Sequence, residues 1–282
     1  MSALHGTAET LGAAIGAGRV ADRLWMYSNY HCNLSCVYCL TESSPRADRR
    51  LLSPDEMIAA ADEAVLLGYR ALGVTGGEPF LTPGMPELLG ALAARLPTLV
   101  LTNGTLFTRR LLDRLRPLAD LALTIQISLD SAQPEINDEL RGPRNFAKVI
   151  QAIPRLIDMG IPVRIATTGD HNSAEEMERL CALHRSLGVD DDHHVVRPIV
   201  RRGRAVDGGL GVVADAKDLF PELTLTADGA FWSPFAPTVH GGRLDTDLLL
   251  TRQRLPLDAP TRALLAVADA NPAGTDTTLN IR

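Results

Sequence analysis

Apolar runs alternate with amphipathic stretches through the first two hundred residues, joined by short connections, and that alternation restricts the chain to very few folds. The segments LWMYSN (24–29), YRALGVTGG (69–77), TLVLTNG (98–104), LALTIQISLD (121–130), IPVRIATT (161–168) and HHVVRPI (193–199) read as strands. Between them SPDEMIAAADEAVLLG (53–68), GMPELLGALAARL (84–96), TRRLLDRLRPL (108–118), NFAKVIQAIPRLIDMG (145–160) and SAEEMERLCALHRSLG (173–188) read as helices. The signals are local: Ser53 stands at an N-cap position before Pro54 and two acids, and Gly68 stands where the helix should stop. Pro154 is expected to kink its helix, and residues 131–144 read as a polar loop. Strand–helix repeats of this kind imply parallel strands with right-handed crossovers, as an open doubly wound sheet or a barrel.

After about residue 200 the pattern changes. RRGRAVDGGLG (201–211) is rich in Gly and Arg, LTLTADGAFWSP (223–234) reads as a hairpin turning at Asp228-Gly229, and TRALLAVADA (261–270) reads as a helix. Three segments result: 1–23 as an N-terminal lead-in, 24–200 as the core and 201–282 as an extension. A formal charge of −6 gives no reason to expect nucleic acid, and no apolar run is long enough to cross a membrane. The N-terminus has no basic flank and is a poor signal peptide, so a cytoplasmic setting is expected.

Three of the four cysteines fall in HCNLSCVYC (31–39), a C-x3-C-x2-C spacing on one short loop after the first strand. Clustered thiols on a loop point to metal ligation, since thiolates select zinc, copper(I) or iron–sulfur clusters. Structural zinc would need a fourth ligand, for which His31 is the formal candidate, although it adjoins Cys32. A disulfide would need an oxidising compartment. Three thiolates with an open fourth position suit a cubane cluster with one iron left free. The fourth cysteine, Cys181, shares a helical face with Met177, Leu180, His184 and Leu187 and reads as core.

The loop, with Tyr38 as the aromatic before the last cysteine, resembles the radical S-adenosylmethionine (SAM) superfamily, as does TGGEPFL (75–81) one strand later. The resemblance covers roughly Leu24 to Pro198 and implies a partial (β/α)6 radical SAM barrel in an α/β chain with a short C-terminal hairpin and helix extension. It implies one 4Fe-4S cluster on Cys32, Cys36 and Cys39, with SAM on the free iron. By the same resemblance SAM contacts fall to Tyr38, Gly76, Gly77, Glu78, Pro79, Asn103, Ser128 and Arg141. Among these, Glu78 would accept from the SAM ammonium, Ser128 would bond ribose or carboxylate, and Arg141 would clamp a carboxylate by its planar fork. The implied chemistry is reductive cleavage of SAM to a 5′-deoxyadenosyl radical that abstracts hydrogen from substrate. An electron donor such as flavodoxin or ferredoxin would supply the electron.

Residues 201–282 resemble the SPASM or twitch extensions of peptide- and cofactor-maturing members, where cysteines hold auxiliary clusters. Here Ser233 stands about where a cysteine would, and no cysteine follows Cys181. A single cluster is therefore expected. The substrate implied is a ribosomally made peptide, delivered by a separate leader-binding partner because 23 residues before the first strand are too few for such a domain. The alternative is a small molecule such as a nucleoside, sugar or cofactor precursor. A zinc-binding interaction module is the remote alternative, and it leaves TGGEP without a role. Arg201, Arg202 and Arg204 are read either as an anion site or as a solvated face, and Phe231 and Trp232 either as cavity wall or as hairpin core.

Overall fold

The computed structural model describes residues 2–169 and 173–270, with side chains from residue 5 onward. Six parallel strands lie side by side in chain order: β1 Arg23–Tyr27, β2 Ala71–Thr75, β3 Thr98–Thr102, β4 Leu123–Ser128, β5 Val163–Thr168 and β6 His194–Arg197. Helices connect them, with α2 Pro54–Leu67 after β1, α3 Met85–Ala93 after β2 and α4 Arg109–Leu115 after β3. Two helices, α5 Pro134–Arg141 and α6 Asn145–Asp158, follow β4, and α7 Ala174–Ser186 follows β5. This is the strand–helix order expected, in a mostly parallel sheet.

Local chemistry fixes the helix ends. Ser53 and Glu56 form a reciprocal capping box on α2, which Gly68 closes at φ +93°. Thr108 and Ser173 cap α4 and α7 by accepting from the third backbone N–H inward. α6 runs through Pro154 to Asp158, so the proline does not end it. Two helices were not legible as such. α5 occupies part of the expected polar loop, starting at Pro134 with Glu135 in its first turn, and α1 Ser2–Gly16 fills most of the N-terminal segment.

The expected hairpin forms from β7 Thr224–Thr226 and β8 Gly229–Phe231, but it does not close onto β6. β7 pairs in parallel with β1, and β11 Leu249–Thr251 pairs with β8, giving the order β11-β8-β7-β1-β2-β3-β4-β5-β6. A two-stranded ribbon, β9 Val239–His240 with β10 Arg243–Leu244, stands apart, and α8 Asp258–Ala270 packs on α1. One hydrophobic cluster joins all three segments, from Leu11 and Ala14 through Trp25, Ile125, Val163 and Ile165 to Phe231, Trp232 and Leu264. Among the described residues, no helix is long and apolar enough to cross a membrane.

Candidate functional site

The loop after β1 carries Cys32, Cys36 and Cys39, and its backbone is held from three sides. On the β2 side, Gly77 N donates to Asn29 O and Glu78 N to His31 O, both at 2.9 Å, extending the β1–β2 pairing past the strand ends. That approach explains the paired glycines. A Cβ on Gly76, whose φ is +135°, would stand 2.3 Å from Asn29 O, and one on Gly77 would stand 2.2 Å from His31 O. The extension holds the far end: Arg204 N donates to Cys39 O at 3.0 Å, and its guanidinium donates to Cys36 O and to Ser43 O. Finally, Val37 N donates to Leu140 O of α5 at 3.0 Å.

The three thiols open onto one cavity of about 1070 Å³, part of it open solvent, at the C-terminal ends of the strands. Leu34 N and Ser43 N point at the sulfurs of Cys32 and Cys39, each at 3.3 Å, and Asn103 Nδ2 lies 3.6 Å from Cys32 Sγ. Burial pushes the Cys32 thiol up to about 12, helped by the Glu78 charge, and pushes Cys36 up to about 11 against the pull of Arg141. Such thiols ionise readily only beside a bound cation. No Asp, Glu, His or fourth Cys lines the cavity among the described residues. His31, the formal fourth ligand of a zinc site, is not part of its wall. Three thiols with an open side therefore fit a cluster that leaves one metal position free.

Nine of the eleven residues singled out in the sequence line this cavity: the three cysteines, Tyr38, Gly76, Gly77, Asn103, Ser128 and Arg141. Glu78 and Pro79 do not. Glu78 is fully buried, and its carboxylate accepts from Phe80 N (3.1 Å), Thr102 Oγ1 (2.8 Å) and Asn103 N (2.8 Å). Burial still raises its pKa against those three donors. The side chain joins the GGEP turn to the end of β3.

Arg141, read as a carboxylate clamp, already has partners within the chain. It is buried, ion-paired to Asp130 at 3.1 Å and bonded to the Tyr38 hydroxyl, which itself bonds Asp130. Asp130 was not singled out in the sequence. It stands two residues after the end of β4, and its other oxygen accepts from Thr168 N at 2.9 Å. Arg197, at the end of β6, was also missed, although a charged residue closing a strand on the site-bearing end was a usable signal.

The basic run is engaged within the chain, with Arg201 still exposed to solvent. Arg201 bonds the carbonyls of Leu210 and Gly211, Arg202 pairs with Asp247 at 2.6 Å, and Arg204 holds the cysteine loop. Phe231 and Trp232 are core, with the Trp232 indole donating to Leu219 O at 3.0 Å. Pro234 and Phe235 reach the cavity instead. Cys181 is half-buried rather than core, 3.9 Å from His194 Nδ1.

Residues 26–184 match the family model of the Radical SAM superfamily. The chain belongs to this superfamily. It is 34% identical over 162 residues to the antilisterial bacteriocin subtilosin biosynthesis protein AlbA of Bacillus subtilis, covering 57% of this chain and 36% of AlbA. Identity to the mycofactocin maturase MftC of Mycobacterium tuberculosis is 31% over 224 residues, 76% of this chain and 56% of MftC. The chain thus spans about half, or less, of these relatives. The fold resembles that of SuiB from Streptococcus suis bound to S-adenosylmethionine, with a TM-score of 0.59 at 21% identity over 73% of this chain and 47% of SuiB. Radical SAM proteins use a 4Fe-4S cluster with SAM, and the donor set described above is compatible with that pair.

Proposed function

We propose that this chain is a radical SAM enzyme that binds one 4Fe-4S cluster through Cys32, Cys36 and Cys39 and modifies a ribosomally made peptide. The observation that carries the reading is the set of three thiols, without a fourth protein ligand, opening on a single cavity. When bound, the cluster and SAM supply one-electron cleavage of SAM and the hydrogen abstraction that follows. The chain's own residues orient and enclose. Gly76 and Gly77 bring the GGEP turn against the cysteine loop, and Asn103, held by Glu78, turns its amide toward Cys32. Tyr38, Asp130 and Arg141 brace the wall beside Cys36, with Ser128 opening to the cavity nearby. Residues 24–200 form the catalytic unit in this reading, and the described residues of the segments 1–23 and 201–282 brace it. Four free thiols suit a reducing, cytoplasmic setting, with flavodoxin or ferredoxin as electron donor.

The peptide substrate is supported by the relatives AlbA, named for biosynthesis of the bacteriocin subtilosin, and MftC, named for mycofactocin maturation. Anaerobic reconstitution should give about four irons per chain. Cys36→Ala should abolish deoxyadenosine formation while circular dichroism stays unchanged. Undiminished deoxyadenosine from that variant would refute the cluster assignment. A precursor peptide encoded beside the gene should raise deoxyadenosine formation above the substrate-free rate. Stimulation by nucleotides or sugars instead would move the substrate to the small-molecule class.

A further inference from the structure

Two arginines line the cavity, and they stand in opposite states. Arg141 is neutralised by Asp130 at 3.1 Å. Arg197 has no carboxylate within 4.0 Å of its guanidinium among the described residues, and its Nε is buried without a hydrogen-bond partner. The guanidinium lies 5.8 Å from the centroid of Phe235, a residue of the extension that also lines the cavity. Burial lowers its pKa to about 10, with Arg164 adding repulsion, against weaker support from Tyr38, Asp130 and Tyr27. Asp130, the acid with a part in that balance, is already engaged by Arg141, Tyr38 and Thr168. Arg197 is half-buried, and a cation withdrawn from water in this way without a counter-charge among the described residues is favoured when an anion arrives to meet it.

We propose that Arg197 receives a carboxylate of the substrate, and so selects substrates carrying one beside the group to be modified. The proposal deepens the reading of the cavity given above and rests on it. The charge of the wall sets the ligand's charge. Among the described residues of the wall, and apart from the cysteines, Arg141 is offset by Asp130 and Arg197 is the one charged side chain left without an ion-pair partner, which suits an anion. The planar fork suits a carboxylate in particular. Two carboxylates can enter this cavity, that of SAM and that of the substrate. Arg197 sits between the end of β6 and the Phe235 wall contributed by the extension, whereas Arg141 adjoins Cys36, the carbonyl of Arg141 lying 3.7 Å from its sulfur. That division gives Arg197 to the substrate.

The test uses reconstituted holoprotein saturated with SAM. N-acetyl-L-glutamate N-methylamide and N-acetyl-L-alanine, for a side-chain and a C-terminal carboxylate, are compared at millimolar concentration with their neutral amides. At least one acid should raise the wild-type melting temperature by about 2 °C or more while its amide does not. Arg197→Met should lose that shift, keep SAM affinity within about twofold and melt no lower than wild type, because it removes a half-buried charge that no carboxylate of the described residues meets. Arg197→Gln repeats the comparison if the methionine variant does not fold. No protection by either acid, protection that persists in both variants, or a lower melting temperature in both would overturn the proposal. A tenfold loss of SAM affinity would overturn it too, by giving the carboxylate to SAM. Failure of the wild type to bind iron or cleave SAM would fall on the reading of the cavity itself.

Discussion

Glu78 shows how a residue named by a motif acts through its neighbours. Its two oxygens accept from Phe80 N, Thr102 Oγ1 and Asn103 N in a fully buried site. Glu78→Gln turns one acceptor into an NH2 group facing a donor, so a buried N–H loses its partner at a cost of about 1–3 kcal/mol. The expected outcome is a lower denaturation midpoint, accompanied by weaker SAM binding because Asn103 is no longer held. A variant as stable as wild type would mean that the carboxylate's three bonds contribute nothing net. Gly77→Ala should be worse, since its Cβ would fall 2.2 Å from the His31 carbonyl oxygen and neither backbone can yield cheaply. The glycines and cysteines were legible because their constraint lies in adjacent sequence. Arg204 was not, because what makes it matter is a partner far along the chain, the carbonyl of Cys36.

At the scale of elements, α7 and β6 meet through a pair of histidines. His184 is fully buried, neither ring nitrogen has a hydrogen-bond partner, and its ring stacks edge-on to His194 at 4.4 Å. Burial lowers the His184 pKa to about 4, with His194 lowering it further and Asp191 opposing. Burial lowers that of His194 as well. The unfolded chain takes up protons near the ordinary histidine value of about 6.5, before the folded chain does. Stability is therefore full above that value, falls as pH drops toward about 4, and levels off below. The full loss from His184 should be on the order of 3.5 kcal/mol, at about 1.4 kcal/mol per pKa unit. Urea denaturation at pH 7 and pH 4.5 checks this: His184→Leu should lose less stability than wild type between the two, and equal losses would remove the histidine from the account. The same pair shows what periodicity can and cannot deliver. The face of α7 was legible from its spacing, but not that His184 would be buried without partners. α5 escaped because Ile136 and Leu140 are its only large apolar residues, too few to set a helical period, although Pro134 marked its start. α1 escaped because its small residues give little contrast between faces.

For the whole molecule, the extension is part of the same core as the strand–helix repeats. β7 supplies the parallel partner on the outer side of β1, the strand from which the cysteine loop emerges, and Arg204 and Val239 bond the carbonyls of that loop. Leu223, Leu225, Phe231, Trp232, Leu257 and Leu264 are all almost completely buried. At about 1.5–3 kcal/mol for each such side chain, their burial is comparable with the entire stability of a typical domain, about 5–15 kcal/mol. A chain ending at Val200 would lose these contacts, expose the core faces of β1 and α2, and leave the cysteine loop without its far anchor. It should therefore fail to give a cooperative unfolding transition, and its thiols should react with a maleimide as fast as those of the urea-denatured protein. A cooperative, thiol-protected 1–200 fragment would show that the repeats fold alone and that the extension serves only to wall the cavity. The magnitudes favour the first outcome, because the hairpin's buried area cannot be removed without taking away most of the margin by which such a domain stays folded.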